Sequence, residues 1–204
     1  ADFFSPEVEA VLERHAAHPN FRGIRQMLNH SQDNAGLNFI DRGDAMDDPT
    51  WREGYRLLAK FDASFDLQVW PWQLEMSARL ANDIPEVPLI LNPTGMPFAN
   101  NAASRRQWGA GMRAMATAGN VSVKISALGM ATPGWTADDI RPYVEDTIDI
   151  FGVDRCMFAS NFPVDSLTSD YTSIWAAYDE ITSGMSDADR KKLFHDNAVR
   201  YYRL

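Results

Sequence analysis

The 204-residue chain has one cysteine, four histidines and an excess of acid over base, and each scarcity removes a class of function. A lone thiol, Cys156, forms no internal disulfide, so a reducing, cytoplasmic setting is expected. With 28 acidic against 19 basic side chains the net charge is −9. Phosphate backbones and anionic lipid surfaces are met by clustered Lys and Arg, so neither nucleic acid nor a membrane surface is expected as a partner. No apolar run approaches the roughly 20 residues of a membrane-crossing helix. Histidine is thinly spread and no His-x-His pair occurs. His15 and His18 are three apart on an expected helix and read as surface groups. His195 stands beside Asp196, but neighbours on a helix point about 100° apart, so this pair also reads as surface rather than as a dyad. A single-metal site needs three or more convergent His, Asp or Cys ligands. None can be assembled, so no metal or other cofactor is expected, although the pattern leaves zinc open.

What is present is an ordinary globular composition, 45% hydrophobic and 23% charged, arranged as alternating strand and helix signals. The first helix is expected over 5–17, with Ser5 as N-cap and Pro6 in its first turn. A strand follows at 21–28, then a loop at 31–47 rich in Asn, Asp, Gly and Ser. Asp48 caps a helix at 49–62, and the strand at 65–70 is ended by Pro71. The alternation continues with helix 72–83, strand 87–91, helix 101–118 and strand 121–126. Thr136 and Asp139 form a capping box for helix 137–151, with Gly152 at its end. Strand 156–159 and two helices, about 170–182 and 187–203, complete the chain, the last opened by Ser186. Five strands spaced by about 30–35 residues, each followed by a helix, imply an α/β fold with parallel strands and right-handed crossovers. One domain, 1–204, is the simplest organisation. Pattern alone leaves two windings. A doubly wound sheet would be expected to carry a glycine-rich phosphate turn, which is missing. A (β/α)₈ barrel needs eight strands where five are found.

In α/β folds chemistry gathers at the C-terminal ends of strands. Asn161 and Asp165 follow the strand at 156–159. Arg25 interrupts an otherwise apolar strand, as an inward arginine for a substrate carboxylate or as half of a buried ion pair. Lys124 occupies the same kind of position. His30 follows the first strand through Asn29. Trp70 ends the second strand, where it lines a pocket or packs in the core.

Several segments together resemble one family. They are Phe21-Arg22-Gly23-Ile24-Arg25-Gln26, Phe65-Asp66-Leu67 leading to Pro71-Trp72-Gln73-Leu74, and Leu89-Ile90-Leu91 leading to Thr94-Gly95-Met96-Pro97. They continue with Asn120-Val121-Ser122-Val123-Lys124-Ile125-Ser126-Ala127-Leu128, with the stretch from Phe151 to Val164, and with Asn197-Ala198-Val199-Arg200-Tyr201-Tyr202-Arg203-Leu204. In this order they resemble the amidohydrolase-related TIM-barrel hydrolases, in the branch with the sugar lactonases and the pyrone-dicarboxylate lactonase. The resemblance implies a (β/α)₈ barrel of which the first three strands are missing here. It implies water attack on a lactone, or on a similar small carboxylated or sugar-derived ester or amide.

The same resemblance exposes departures. Pro93 stands where the sixth family strand usually ends in histidine, and proline neither coordinates nor shuttles a proton. Asn161 stands where the eighth commonly ends in an aspartate base, and an amide does not titrate. The expected machinery is then Asp165, Asn161 and His30 as catalytic residues, with Asp165 as substitute base, and Arg25, Lys124 and Trp70 as substrate contacts. A metal-free lactonase mechanism fits this set better than a zinc hydrolase. The alternative is a catalytically inert, truncated or non-enzymatic homologue acting by binding or assembly. Five parallel strands leave two open edges, so a homo-oligomer covering them is expected.

Overall fold

The computed structural model describes residues 1–97, 101–130 and 134–204. In chain order the helices and strands are α1 (Val8–Ala16), β1 (Gly23–Met27), α2 (Pro49–Lys60), β2 (Ser64–Gln68), α3 (Leu74–Asp83), β3 (Leu89–Asn92), α4 (Ala102–Ala116), β4 (Val121–Ile125), α5 (Ala137–Phe151), β5 (Cys156–Phe158), α6 (Tyr171–Ile181), α7 (Asp187–Lys191) and α8 (Asn197–Tyr202). The strands form one parallel sheet in the order β1-β2-β3-β4-β5. A doubly wound sheet reverses its order at a switch point; this one never does. Right-handed crossovers running one way put the helices that connect the strands on one face. The winding is that of a TIM-barrel-type α/β fold, with five strands and open edges at β1 and β5.

The helix-facing side chains alternate with those of the other face. Phe65 and Leu67 of β2, Leu89 and Leu91 of β3, and Val121, Val123 and Ile125 of β4 are buried against Trp51, Leu58, Leu74, Trp108 and Met112 from the helices. Phe3 wedges into an aromatic group with Trp51, Tyr55 and Phe65, ring centroids 5.1–6.1 Å apart. Gly54 lets this happen, because a Cβ there would lie 2.4 Å from the Phe3 carbonyl oxygen. The opposite face is mainly polar: Arg25, Asp66, Gln68, Asn92, Ser122 and Lys124 share it with the apolar Ile90 and Met157, and all but Arg25 and Lys124 are buried.

Local signals placed most boundaries. Asp48 accepts from the amides of Thr50 and Trp51, Asp139 from the amide and hydroxyl of Thr136, and Ser186 from the Asp189 amide. Four expectations change. The first helix starts at Val8, because the Ser5 hydroxyl accepts from Glu7 in a preceding turn. His18 lies beyond the end of α1, so it shares no helical face with His15, which stacks on Phe21. The expected helix 187–203 is divided by a π-helical turn, Lys192–Asp196, that buries Leu193 and sets Phe194 against Phe158 and Trp175. The same turn brings His195 Nδ1 within 2.8 Å of Asp196 Oδ1, a contact that regular α geometry disfavours, and both remain exposed. Finally, β2 ends at Gln68, so Trp70 stands outside the strand.

Candidate functional site

The C-terminal rim of the sheet is where the backbone is most unusual. Thr94, Gly95 and Met96 follow β3 with φ of 49°, 64° and 51°, Ala127 follows β4 at 59°, and Asn161 follows β5 at 53°. Left-handed conformations cost non-glycine residues roughly 1 kcal/mol or more each and persist where surroundings enforce them. Here the enforcement is visible. The Thr94 hydroxyl donates to the Ser126 carbonyl and accepts from its amide, lacing β3 to β4, while Trp108 Nε1 donates to the Thr94 carbonyl at 2.8 Å.

Beside this rim lies a cleft of about 350 Å³, lined by Arg25 from β1, Asn92 at the end of β3 and Pro93 after it, Lys124 from β4 and Ser126 after it, and Asn161 with Phe162 after β5. Arg25 donates to Gln68 Oε1 at 2.6 Å. Lys124 Nζ is 3.3 Å from Asp66 Oδ1 and 2.8 Å from the Tyr202 hydroxyl. The same carboxylate oxygen accepts from Asn92 Nδ2 at 2.7 Å and from Tyr202 at 2.6 Å. Burial, reinforced by Asp66, pushes the Tyr202 phenol far above its ordinary range, so it remains a neutral donor. Two cations and no acidic side chain line the cleft, in a protein of net charge −9.

Across the cleft, Asn161 Nδ2 donates to Asp165 Oδ1 at 2.6 Å and approaches Met130 Sδ at 3.4 Å. Its amide hydrogens are thus committed, and the amide oxygen is the group left for a ligand. Asp165 is only 4% exposed. Burial pushes its carboxyl above the ordinary aspartate value, and the Asn161 hydrogen bond opposes this.

Of the expected site residues, the fold brings Arg25, Lys124 and Asn161 to the cleft and sets Asp165 directly behind Asn161. His30 and Trp70 do not line it. The His30 amide donates to Gln73 Oε1 and its ring packs on Gly43. Trp70 precedes a 3₁₀ turn, Pro71–Gln73, stacks on Trp72 and donates to the Leu37 carbonyl. Gln73 explains both positions: its Oε1 accepts from His30 and Trp70 while its Nε2 donates to the Leu28 carbonyl, tying down the chain after β1 and β2. Sequence reasoning passed over Asp66, Asn92 and Tyr202. The alternation Phe65-Asp66-Leu67-Gln68 carried a signal for Asp66; Tyr202 had none.

A larger depression of about 630 Å³, between α6 and the π turn, is walled by Tyr171, Trp175 and Phe194 and offers little reactive chemistry. Among the described residues no group of three or more His, Cys, Asp or Glu could hold a metal, and the cleft is lined by two cations, Arg25 and Lys124.

Comparison with known proteins agrees with the winding. An uncharacterized protein of Sinorhizobium fredii is 47% identical over 204 residues, covering all of this chain and 68% of its own length. An L-fucono-1,5-lactonase of Burkholderia ambifaria is 28% identical over 208 residues, with the same coverage of 100% and 68%. The crystal structure of an amidohydrolase from Burkholderia multivorans with bound zinc superposes with a TM-score of 0.85 at 27% identity, covering 100% of this chain and 72% of that one. A family model described as amidohydrolase matches residues 2–204, and the chain belongs to that family.

Proposed function

We propose that the protein is a hydrolase that opens a lactone, or a similar small carboxylated or sugar-derived ester or amide, by attack of water. The observation that carries this reading is the convergence of Arg25 and Lys124 on one cleft whose lining carries no acidic side chain. A substrate carboxylate is the natural third partner, since charge-assisted hydrogen bonds are the strong ones. The 28% identity to an L-fucono-1,5-lactonase supports a lactone as the reacting group. Asn161 Oδ1 accepts from the attacking water and orients it. Asp165, whose carboxyl burial holds above the ordinary aspartate value, takes the water's proton on Oδ2, its Oδ1 being held by Asn161, and returns it to the departing ring oxygen, whereas Asp66 is held by three donors. Initial rates of glucarolactone and gluconolactone opening, for wild type and Asp165→Asn, test it. The reading expects turnover in wild type and its loss in the variant. Absence of wild-type turnover above background with both lactones would overturn it.

A second reading, an inert homologue that binds without turnover, is favoured by Pro93 and Asn161 lining the cleft where the family commonly places a histidine and an aspartate. Carboxylate binding with equal, negligible rates in both proteins would select it. Association of copies through the open edges of β1 and β5 belongs with either reading, and light scattering measures it.

A further inference from the structure

The last helix reaches the candidate site from below. Arg203 Nη2 donates to the carbonyls of Arg22 and Asp62, and Arg22 Nε donates back to the Arg203 carbonyl. These contacts pin the end of the chain to the residues that precede β1 and β2. Tyr202, the last residue of α8, is thereby placed with its hydroxyl 2.6 Å from Asp66 Oδ1 and 2.8 Å from Lys124 Nζ, its ring centroid 5.1 Å from the same ammonium. Tyr202 does not line the cleft; Lys124 does.

We propose that Tyr202 is the positioning residue of the anion-binding half of the cleft, acting through Lys124. The proposal rests on the carboxylate-binding reading above. A lysine ammonium carries three donors on a flexible stem. Two are directed to Asp66 and Tyr202, and the third is left for a ligand in the cleft. The phenol also weakens the competing ion pair. Asp66 Oδ1 receives Tyr202, Asn92 and Lys124 together, and the lysine contact is the longest of the three at 3.3 Å. Without the phenol, Lys124 would settle on the carboxylate and present less charge to a ligand. The end of the chain, 136 residues beyond Asp66, thus sets how strongly the cleft attracts anions.

Citrate binding to the full chain, measured by calorimetry, tests this in a double-mutant cycle of Tyr202→Phe and Lys124→Met. Thermal unfolding is followed for every protein. Tyr202→Phe is expected to weaken citrate about tenfold, the order of one hydrogen bond to a charged group. It should make no further difference once Lys124 is Met, because two residues acting as one unit do not add. Tyr202→Met is carried through the same cycle, so that a folding defect peculiar to one replacement does not decide the outcome. An equal loss with and without Lys124 would make Tyr202 merely structural and overturn the inference. Weakening by Lys124→Met with none from Tyr202→Phe overturns the role of Tyr202 while leaving the carboxylate site standing. Unchanged affinity in both single variants removes both.

Discussion

Asn161 and Asp165 close the turn after β5 twice over: the amide side chain donates to the carboxylate at 2.6 Å, and the Asp165 backbone amide donates to the Asn161 carbonyl at 3.2 Å. The pair works as a unit. Asn161 sits in a left-handed conformation and lines the cleft, and Asp165 sets the orientation of its amide while withdrawn from solvent.

Replacing Asp165 separates activity from stability. Asp165→Asn is expected to lower kcat for lactone opening by at least about 100-fold, the lower range of general-base contributions. Its effect on stability depends on pH, with a defined sign. Burial raises the folded-state carboxyl above its ordinary 3.8, so between 3.8 and the raised value the folded protein keeps a proton that the unfolded chain has released. Wild-type stability from this group therefore falls as pH rises through that window and is flat above it. Asparagine does not titrate. Urea unfolding between about pH 3 and pH 8 should show the variant gaining on wild type as pH rises, then levelling off.

Arg25 is predicted to act on binding. Arg25→Met should raise KM for glucarolactone by about 10- to 100-fold, the range of a lost charge-assisted hydrogen bond, with kcat nearly unchanged. The neutral gluconolactone should respond far less. Equal losses for the two lactones would mean that Arg25 supports the sheet through Gln68 rather than the substrate.

The turn after β3 depends on glycine. Gly95 has φ of +64°, and an added Cβ would lie 2.7 Å from Met112 Sδ. Gly95→Ala should destabilise the fold by about 1–3 kcal/mol through strain and overpacking, read as a lower urea midpoint. Gly119→Ala is the control. Nothing lies within 4 Å of its Cβ position, so a change within about 1 kcal/mol is expected.

Cys156 should be chemically silent. It is fully buried in β5, and burial pushes its thiol up to about 12, far from the thiolate that alkylating reagents require. Iodoacetamide at neutral pH should label it only after the protein is unfolded, as mass spectrometry would show.

The sequence by itself determined the features that neighbouring residues decide. Helix starts at Asp48 and Ser186 are satisfied by amides two or three positions on and that at Thr136 by the Asp139 carboxylate, and apolar runs such as Leu89–Leu91 declare a strand whatever it pairs with. The likeness to the amidohydrolases was legible too, because it lies in ordered segments. The direction of winding was legible only through that likeness, not from the pattern of elements. Strand spacing is the same for a barrel and a doubly wound sheet, and only the uninterrupted order β1 to β5 separates them. Trp70 left its strand because Gln73 captures the backbone there, and the last helix broke because a wider turn buries Leu193. The cleft was half visible: Arg25 and Lys124 announce themselves as charges inside apolar strands and Asn161 as a polar residue just past one. That Asp66 would be shared among Asn92, Lys124 and Tyr202 had no local signature. Periodicity reports that a side chain is buried; which charge it meets is decided by chain 26, 58 or 136 residues away.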